Sequence, residues 1–217
     1  PAGLPTPFKA NRLVVAASGK PGAFDEKAVD CPFVFHHAGR FHMTFVAFDG
    51  TGYQTGLASS ANLLDWKPEG LILGRDPKSE LFRYNVALNW IVRENDIRAK
   101  GELKKFNGRF LGVYHAYPNA GYEQGPAVIG LCWSTDLRKW QLDPPILRAE
   151  DGAEWERGGL YKPCLVHEND TFYLFYNAKT AEKSWHEQTG VATSRDLKTW
   201  TRFPGSPLLH NGPDGSP

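Results

Sequence analysis

The sequence predicts an all-β protein, because short strands separated by turn residues recur along it while helical periodicity is scarce. The clearest case is residues 159–180, GLYKPCLVHENDTFYLFYNAKT, followed by GVATSRDLKTW at residues 190–200. Within the first segment, Glu168, Asn169 and Asp170 form a turn between a short apolar run and an alternating aromatic strand. We therefore expect three antiparallel strands in this region and the start of a fourth.

A unit of this kind occurs three times in register. In each copy Gly leads, Leu follows seven residues later and Trp follows ten residues later; the copies run from Gly56 to Trp66, Gly130 to Trp140 and Gly190 to Trp200. An aromatic strand precedes each copy, with the sequences FHMTFVA, FLGVYHA and FYLFYNA. Recurrence on this scale is typical of repeat architectures. Because four-stranded antiparallel sheets repeated around an axis form a β-propeller, we expect about three such blades, with the Trp side chains packing inside them.

The repeats also divide the chain. We expect a single domain over residues 1–217, with repeat units at about 30–74, 84–148 and 155–209. The first strand of each propeller blade lines the central channel. The segments 31–35 and 163–166 are therefore predicted to lie closest to a common axis.

Proline marks two of these first strands. Pro32 and Pro163 each stand nine residues ahead of an aromatic strand, and Pro is tolerated at the first residue of a strand. Gly101 takes that place in the second unit, so the entry to its first strand is expected at Lys100 and Gly101. The apolar segment 84–93 is interpreted as an added strand.

Composition excludes several classes of protein. The chain has 217 residues, of which 41% are hydrophobic and 23% charged, which is enough for a packed core and argues against disorder. The formal net charge of +1 argues against a nucleic-acid partner, which requires a dense basic face. No run of 18 apolar residues occurs, so no membrane span is predicted. The chain starts without Met and without a visible signal peptide, so we interpret it as a mature or trimmed product whose targeting cannot be read from the sequence. An extracellular or periplasmic location is favoured.

The three cysteines, Cys31, Cys132 and Cys164, lack the spacing of a metal site, and no metal or other cofactor is predicted. Cys31 and Cys164 both flank a repeat Pro, so they are expected near each other around the axis. Both a disulfide and a pair of ordinary buried thiols are compatible with that arrangement.

The combined pattern resembles a known group of proteins. Pro followed by apolar residues, a turn, a Phe/Tyr-rich strand and Gly-x-Ala/Cys-x-Ser-x-Asp-Leu-x-x-Trp resembles the blades of five-bladed glycosidase propellers, namely glycoside hydrolases of families 43, 32 and 117 and the phosphorylases of family 130. The resemblance covers residues 30–209 approximately. It implies a funnel-shaped sugar pocket on the axis, with carboxylates at the starts of the first strands. Three blades are visible, so the chain resembles part of such a propeller.

The resemblance also implies catalytic residues. Glycoside hydrolysis needs one carboxyl group that protonates the leaving oxygen and a second that activates water or attacks the sugar. By similarity to family 43, Asp30 near Pro32 is the expected general base, and Asp96 is the nearest acid for the position that tunes the pKa of the proton donor. Tyr161 occupies the position of the donor itself, and the nearest Glu, Glu156, is the candidate. Each of these acids also has a structural interpretation as a turn or loop residue.

Five further residues are candidate sugar-binding groups. Lys162 enters the first strand of the third unit, where its charge would face the channel and a sugar hydroxyl or carboxylate. Aromatic faces stack on sugar rings, which makes Tyr53, Trp90 and Trp185 candidate platforms. His115 lies on an aromatic second strand, either as an interior residue or as a substrate-binding one.

Two functions remain compatible with the sequence. The first is a glycoside hydrolase-like enzyme that acts on a plant or microbial polysaccharide or oligosaccharide. The second is a non-catalytic propeller that binds glycans or proteins through the same axial face. Convergence of Asp30 with another carboxylate at one end of the channel would favour the enzyme. The oligomeric state is not set by any sequence feature.

Overall fold

The computed structural model describes residues 11–182 and 186–209, which form three antiparallel sheets and two single-turn 3₁₀ helices. This confirms the all-β prediction and the prediction of about three four-stranded blades. The described part of the chain contains no helix with the length and apolar character of a transmembrane span. Cys31, Cys132 and Cys164 are free thiols, so the disulfide considered above is not formed.

The first blade contains four strands in sequence order. They are β1 (Ala28–His37), β2 (Arg40–Phe48), β3 (Tyr53–Ser60) and β4 (Trp66–Leu73). The second blade has the order β5-β7-β8-β9, with the short β6 paired to β7. Its strands are β5 (Ala87–Ile91), β6 (Lys105–Phe106), β7 (Arg109–Ala116), β8 (Val128–Ser134) and β9 (Gln141–Leu147).

The third blade repeats the simple four-strand order of the first. The 3₁₀ turns Ala149–Asp151 and Glu154–Glu156 lead into it. Its strands are β10 (Gly159–Glu168), β11 (Thr171–Lys179), β12 (Glu187–Ser194) and β13 (Thr201–Arg202).

The Gly that leads each repeat is explained by its cross-strand partner. In every blade this Gly, on the third strand, lies directly opposite an aromatic residue of the second strand; the pairs are Gly56 with Phe45, Gly130 with Tyr114 and Gly190 with Tyr176. A Cβ atom at these glycines would lie 2.4, 2.3 and 3.0 Å from the respective rings. Only hydrogen fits beneath the ring at Gly56 and Gly130, because real Cβ atoms essentially never approach within 3.0 Å; at Gly190 the Trp155 ring, 2.6 Å away, imposes the same limit.

The Leu and Trp of each repeat belong to a turn that has the same hydrogen bonds in all three blades. A Ser at the end of the third strand accepts the backbone N–H of the Leu, at 3.0, 2.8 and 2.9 Å. The Leu has φ of 65°, 63° or 62°, and its carbonyl accepts the Trp indole N–H at 2.9, 3.4 and 3.3 Å. The residues are Ser60, Leu63 and Trp66; Ser134, Leu137 and Trp140; and Ser194, Leu197 and Trp200. The repeat seen in the sequence is therefore a repeat of hydrogen bonds.

The first strands of blades one and three share a distortion. Their pairing with the second strand shifts between Asp30 and Phe33 and between Tyr161 and Cys164. The residues before the prolines, Cys31 and Lys162, have φ of 47° and 48°, a region that residues with a Cβ rarely adopt. The extra residue in each bulge bends the strand at the end where it enters the sheet.

The first strand of the second blade lies earlier than expected. The prediction that Lys100 and Gly101 mark its entry is wrong, because β5, inside the segment interpreted as an added strand, pairs with β7. The segment after β5 leaves the sheet and returns, with Leu103 bridged to Arg93. The excursion ends in β6, which pairs with the start of β7, at Arg109 and Phe110, on the edge that β5 covers only further along.

The blades pack face to face through two main cores. Between blades one and two, Phe33, Phe35 and Leu57 pack with Leu88 and Tyr114. A second core joins blades two and three, and its buried residues include Leu111, Val113, Ile129, Leu160, Leu165 and Leu174. A smaller cluster contains residues of all three blades, among them Tyr53, Ala87 and Tyr161, with Cys31 against it. The three first strands therefore approach one another there.

The glycine–aromatic pairing generates a stability prediction. Gly130→Ala is expected to lower the free energy of unfolding by about 1–3 kcal/mol, because the new methyl group must displace the Tyr114 ring. Gly74→Ala is the matched control, since its Cβ would meet flexible side-chain atoms at 3.2 Å or more; we expect a change within about 0.5 kcal/mol. Urea unfolding measures both variants. Equal effects would show that the pairing does not constrain residue 130.

Candidate functional site

One end of the molecule collects segments from every blade. Antiparallel pairing places the start of the first strand, the end of the second and the start of the third at the same end of each sheet, as in the pairs Ala28 with Phe48 and Phe48 with Tyr53. The bulged strand entries and the loops between second and third strands therefore meet. We call the charged and tyrosine side chains gathered there the axial cluster: Asp30, Tyr53, Tyr117, Tyr122, Glu123, Tyr161, Lys162, Lys179 and Glu187.

Glu123 is the partly buried acid of the axial cluster. It lies half-buried in the loop between β7 and β8, with φ of 54°. Burial raises the pKa of its carboxyl group, and the negative charges of Glu187 and Asp30 add to the increase. Lys162 and Lys179 oppose it without reversing it. The carboxyl group of Glu123 therefore keeps its proton to a higher pH than an ordinary Glu.

Lys179, at the end of β11, ties the third blade to this loop. Its side chain is buried, and its Nζ donates to the Glu123 carbonyl oxygen at 3.2 Å. The same Nζ lies 5.2 Å from the centroid of the Tyr117 ring and 5.9 Å from that of Tyr161. Burial lowers the pKa of Lys179, while the charges of Glu123 and Glu187 favour its protonated form.

The first blade also contacts the loop between β7 and β8. The backbone N–H of Gly121 donates to the Thr51 carbonyl at 2.9 Å. The Tyr122 ring meets Tyr53 edge-on, with centroids 5.2 Å apart, and also lies against Phe48. A single loop of the second blade thus contacts both of its neighbours at the mouth of the axis.

Asp30 and Lys162 enter the cluster from the two bulged strands. Asp30 is exposed, and its Oδ1 accepts the backbone N–H of Cys31 at 2.6 Å. Lys162 is also exposed, with its Nζ 5.8 Å from the Tyr161 ring centroid. Burial raises the pKa of the Cys31 thiol, with Asp30 adding to the increase and Lys162 opposing it. The charges of Asp30 and Lys162 therefore both lie close to the Cys31 thiol.

His115 lies beneath the axial cluster as a neutral side chain. It is buried, its Nδ1 is 2.6 Å from Asn89 Oδ1, and its ring meets Tyr117 edge-on at 5.5 Å. Burial, together with the charge of Lys162, lowers the pKa of His115 to about 3. At neutral pH this residue supports the tyrosine and asparagine beside it without adding charge.

The comparison with known families agrees with this architecture. Residues 95–217, more than half of the chain, match the model of the glycosyl hydrolases family 32 N-terminal domain. The chain belongs to this family. The predicted resemblance to the five-bladed propeller glycosidases is confirmed, while the carry-over from family 43 remains a prediction.

Individual relatives match most of this family 32 chain. The 1,2-beta-oligomannan phosphorylase of Thermoanaerobacter sp. (strain X514) is 25% identical over 158 residues, which cover 70% of this chain and 43% of that protein. A solved glycoside hydrolase is 29% identical with a TM-score of 0.76, covering 86% of this chain and 59% of its own. A solved BT0996 RGII complex is 29% identical with a TM-score of 0.80, and the match covers 94% of this chain and 62% of that protein. The chain thus spans less than two thirds of each of these relatives.

Asp30, Tyr53, His115 and Lys162, four of the predicted site residues, are brought together at this end of the family 32 domain. Trp185 lies outside the described residues. Within those residues, no three His, Cys, Asp or Glu side chains converge as a metal site would require.

Glu156 does not lie in the axial cluster, and its predicted role as proton donor is not supported. The side chain is only 1% exposed. Its Oε1 accepts from the Tyr176 hydroxyl at 2.5 Å and from Arg202 Nε at 3.2 Å, and its Oε2 accepts the Ala153 N–H at 3.0 Å. Both oxygens are therefore committed to joining a 3₁₀ turn to β11 and β13.

Asp96 and Trp90 are likewise separated from the cluster. Asp96 caps its own turn by accepting the Arg98 N–H at 2.8 Å. Together with Trp90 it lines a cavity of about 510 Å³ near the far ends of the first strands, on the side away from Asp30. Trp90 packs there on Phe33 and Arg93, with ring centroids 4.5 Å apart in the first contact. The roles predicted for Asp96 and Trp90 in one site with Asp30 are not supported by this placement.

The sequence did contain a signal for the residues that were missed. The connection between the second and third strands, taken with the first residue of the third strand, carries an aromatic residue and an acid in every repeat, and the acids are Asp49, Glu123 and Glu187. Asp49 is neutralised by Arg75 at 2.5 Å. Glu123 and Glu187 instead lie in the axial cluster. Both carboxylates raise the pKa of Tyr161 and favour the protonated form of Lys179, and Glu187 also raises the pKa of Glu123.

Substitution of Glu156 tests whether this residue has a structural or a catalytic role. Glu156→Gln is expected to lower the free energy of unfolding by about 1–3 kcal/mol, because Arg202 and the Tyr176 hydroxyl lose a charged acceptor. We expect any activity measured on folded protein to be retained. Calorimetric unfolding together with a sugar-release assay tests this, and loss of activity at unchanged stability would return Glu156 to the mechanism.

The buried His115 predicts a specific pH dependence of stability. Below an ordinary His pKa of about 6.5, the unfolded chain binds a proton that folded His115 does not bind until about pH 3. The contribution of His115 is therefore present above pH 6.5 and is lost by about 1.4 kcal/mol per pH unit as the pH falls towards 3.

Comparison of variants isolates this contribution. Unfolding free energies between pH 7 and 4.5 should decline less steeply for His115→Gln than for the unmodified protein. His186→Gln, at an exposed position, is the control and should keep the original slope. Identical slopes for all three proteins would show that His115 titrates normally in the folded state.

Proposed function

We propose that this protein cleaves a glycosidic bond of an oligosaccharide at the axial cluster. Glu123 donates a proton to the leaving oxygen, and Asp30 activates the attacking group. The observation that carries the proposal is the pairing of a half-buried carboxyl group of raised pKa with an exposed carboxylate at the end of the channel. The influence of the Asp30 charge on the Glu123 carboxyl group supports the enzyme over a non-catalytic binding propeller.

The surroundings of the two acids suit these roles. A proton donor must remain protonated near neutral pH, and the burial of Glu123 among tyrosines favours that state. Asp30 is exposed and fixed by its hydrogen bond from the Cys31 N–H, so it is accessible to a water molecule that it can deprotonate. The proton taken by Asp30 balances the one that Glu123 gives to the leaving sugar.

Other groups of the cluster would position the substrate. A cavity of about 310 Å³ lies beside Glu123 and Lys179, between the second and third blades, and includes Arg157 and Glu182. It adjoins the proton donor, so we assign it to the leaving part of the oligosaccharide. Tyr53 remains the proposed aromatic platform on the first-blade side, and Lys162 the proposed donor to sugar oxygens. Trp185 is retained as a candidate platform on sequence grounds alone.

The relatives support a carbohydrate substrate and raise one question of mechanism. The family 32 domain supports glycoside hydrolysis, whereas the curated relative is a phosphorylase. The attacking group could accordingly be water or inorganic phosphate, and the two differ in product. Water yields a free sugar and phosphate yields a sugar 1-phosphate.

A substrate screen decides between these outcomes. The complete gene product is incubated with neutral oligosaccharides, beginning with β-1,2-linked mannobiose, with and without inorganic phosphate. Release of free sugar in both conditions indicates a hydrolase, and phosphate-dependent sugar 1-phosphate indicates a phosphorylase. Binding of a glycan without any cleavage would instead establish a non-catalytic propeller.

Replacement of the proposed proton donor gives the sharpest mechanistic prediction. Glu123→Gln is expected to lower turnover of an unactivated oligosaccharide by about 10²- to 10⁴-fold. Because the donor must be protonated, activity of the unmodified enzyme should fall as the pH rises through the raised pKa of Glu123, and this alkaline limb should vanish in the variant. A dinitrophenyl glycoside of the same sugar, whose leaving group needs no proton, should lose much less activity.

Two further variants complete the test. Asp30→Asn should lower turnover of both the oligosaccharide and the dinitrophenyl glycoside by about 10²- to 10⁴-fold, since water or phosphate still has to attack. Glu154→Gln, at an exposed carboxylate in the turn before the third blade, should change neither rate. If Asp30→Asn is active and Glu187→Gln is not, Glu187 is the second catalytic carboxylate.

A further inference from the structure

Two tyrosine hydroxyl groups in the axial cluster lack an evident structural purpose. Tyr117, just after β7, and Tyr161, in β10, are both 0% exposed. The Tyr117 hydroxyl has no hydrogen-bond partner among the described residues, and the Tyr161 hydroxyl has none of ordinary geometry, its polar neighbour being the Glu187 carboxylate. Burial raises the pKa of Tyr161, and the hydrogen-bonding approach of Glu187 adds to the increase. The two rings adjoin each other, with centroids 6.2 Å apart.

Other buried tyrosines of the protein behave differently. The hydroxyl of Tyr114 donates to the Asp143 carbonyl at 2.7 Å, and that of Tyr176 donates to Glu156 at 2.5 Å. A buried hydroxyl without a partner destabilises the folded state, and phenylalanine would fill the same space without that cost. Packing alone therefore does not account for tyrosine at positions 117 and 161.

We propose that the hydroxyls of Tyr117 and Tyr161 bind hydroxyl groups of the sugar held at the axial cluster, and that loop segment 118–125 must lift to admit it. This rests on the proposed function and identifies the residues that select the sugar. A sugar hydroxyl donates and accepts hydrogen bonds, as does a tyrosine hydroxyl, so the two groups satisfy each other. Two fixed hydroxyls on neighbouring rings would distinguish sugars by the orientation of their hydroxyl groups.

The covering segment has the features of a movable lid. Glu123, whose charge acts on both tyrosines, and Lys179 lie close to the two rings. Gly121 and Gly125 flank the segment that carries Tyr122 and Glu123, with φ of 99° and 88°. Such glycines absorb backbone rotation at low cost. The contacts that opening would break include the Gly121 N–H to Thr51 bond and the Lys179 bond to the Glu123 carbonyl.

Closure of the lid would then couple recognition to catalysis. The segment proposed as the lid carries Glu123, so the proposed proton donor would return to the site when a sugar is in place. A sugar that leaves the two hydroxyls unpaired would favour the closed state less.

The test replaces each hydroxyl and leaves the ring. Tyr117→Phe and Tyr161→Phe are made in the complete gene product, and sugar affinity is measured by calorimetry in a Glu123→Gln background, where the bound sugar is not consumed. The probe is β-1,2-mannobiose, or the oligosaccharide that the screen above shows to be cleaved. Each variant should weaken binding about 10-fold, and the pair about 100-fold, while the melting temperature stays equal or rises.

Matched controls come from the partnered tyrosines. Tyr114→Phe and Tyr176→Phe should lower the melting temperature and leave affinity within about twofold, since these hydroxyls serve the fold. If Tyr117→Phe and Tyr161→Phe also lower the melting temperature and spare affinity, their hydroxyls serve the fold only and the proposal is overturned.

Lid motion has its own readout. Exchange of the Gly121 amide hydrogen in the protein without sugar should be faster than that of the paired amides in β7 and should slow when the probe binds. Unchanged exchange on binding would exclude the lid. Failure of the whole screen to find a cleaved sugar would count against the proposed function, whereas cleavage with unaltered affinity in both Phe variants would count only against the tyrosine assignment.

Discussion

The close approach of an aromatic ring to a glycine at the centre of each blade constrains the rest of the structure. It fixes which residue of the second strand faces which residue of the third, and a slip of one position would both place a Cβ under the ring and turn the apolar set outward. Once this register is set, the loops between these strands emerge at one end, beside the entries of the first strands. The axial cluster is therefore a consequence of packing at the blade centres.

Two glutamates show how surroundings, and not residue type, assign roles to acids in this fold. Glu156 is buried deeply, yet a guanidinium, a tyrosine hydroxyl and a backbone N–H take up its oxygens. Glu123 is less buried; its backbone carbonyl accepts from Lys179, and burial raises the pKa of its carboxyl group. A raised carboxyl pKa suits proton transfer, whereas burial combined with full hydrogen bonding suits structural support.

The sequence was sufficient for the fold because the packing constraint has a direct trace in it. Gly, Leu and Trp recur at fixed spacing since each occupies a position that is geometrically equivalent in three blades. The candidate site left a weaker trace. Asp30 and Lys162 could be found from their places beside the repeat prolines, but Glu123 lies in a loop whose path depends on contacts with Thr51 and Lys179 in other blades. The misplaced entry at Gly101 has a related cause, because an excursion after β5 imitates the spacing of the repeat.

The bond between Lys179 and the carbonyl of Glu123 joins the third blade to a loop of the second. The proposed acid, Glu123, is thus carried by the second blade and held in position by the third, so the proton donor depends on both blades. Loosening of their shared core would misplace Glu123 before either sheet lost its strands, since local openings require less free energy than global unfolding. Catalytic activity would then depend on how tightly the second and third blades pack against each other. A substitution deep in their shared core could abolish activity while the strand content stayed unchanged.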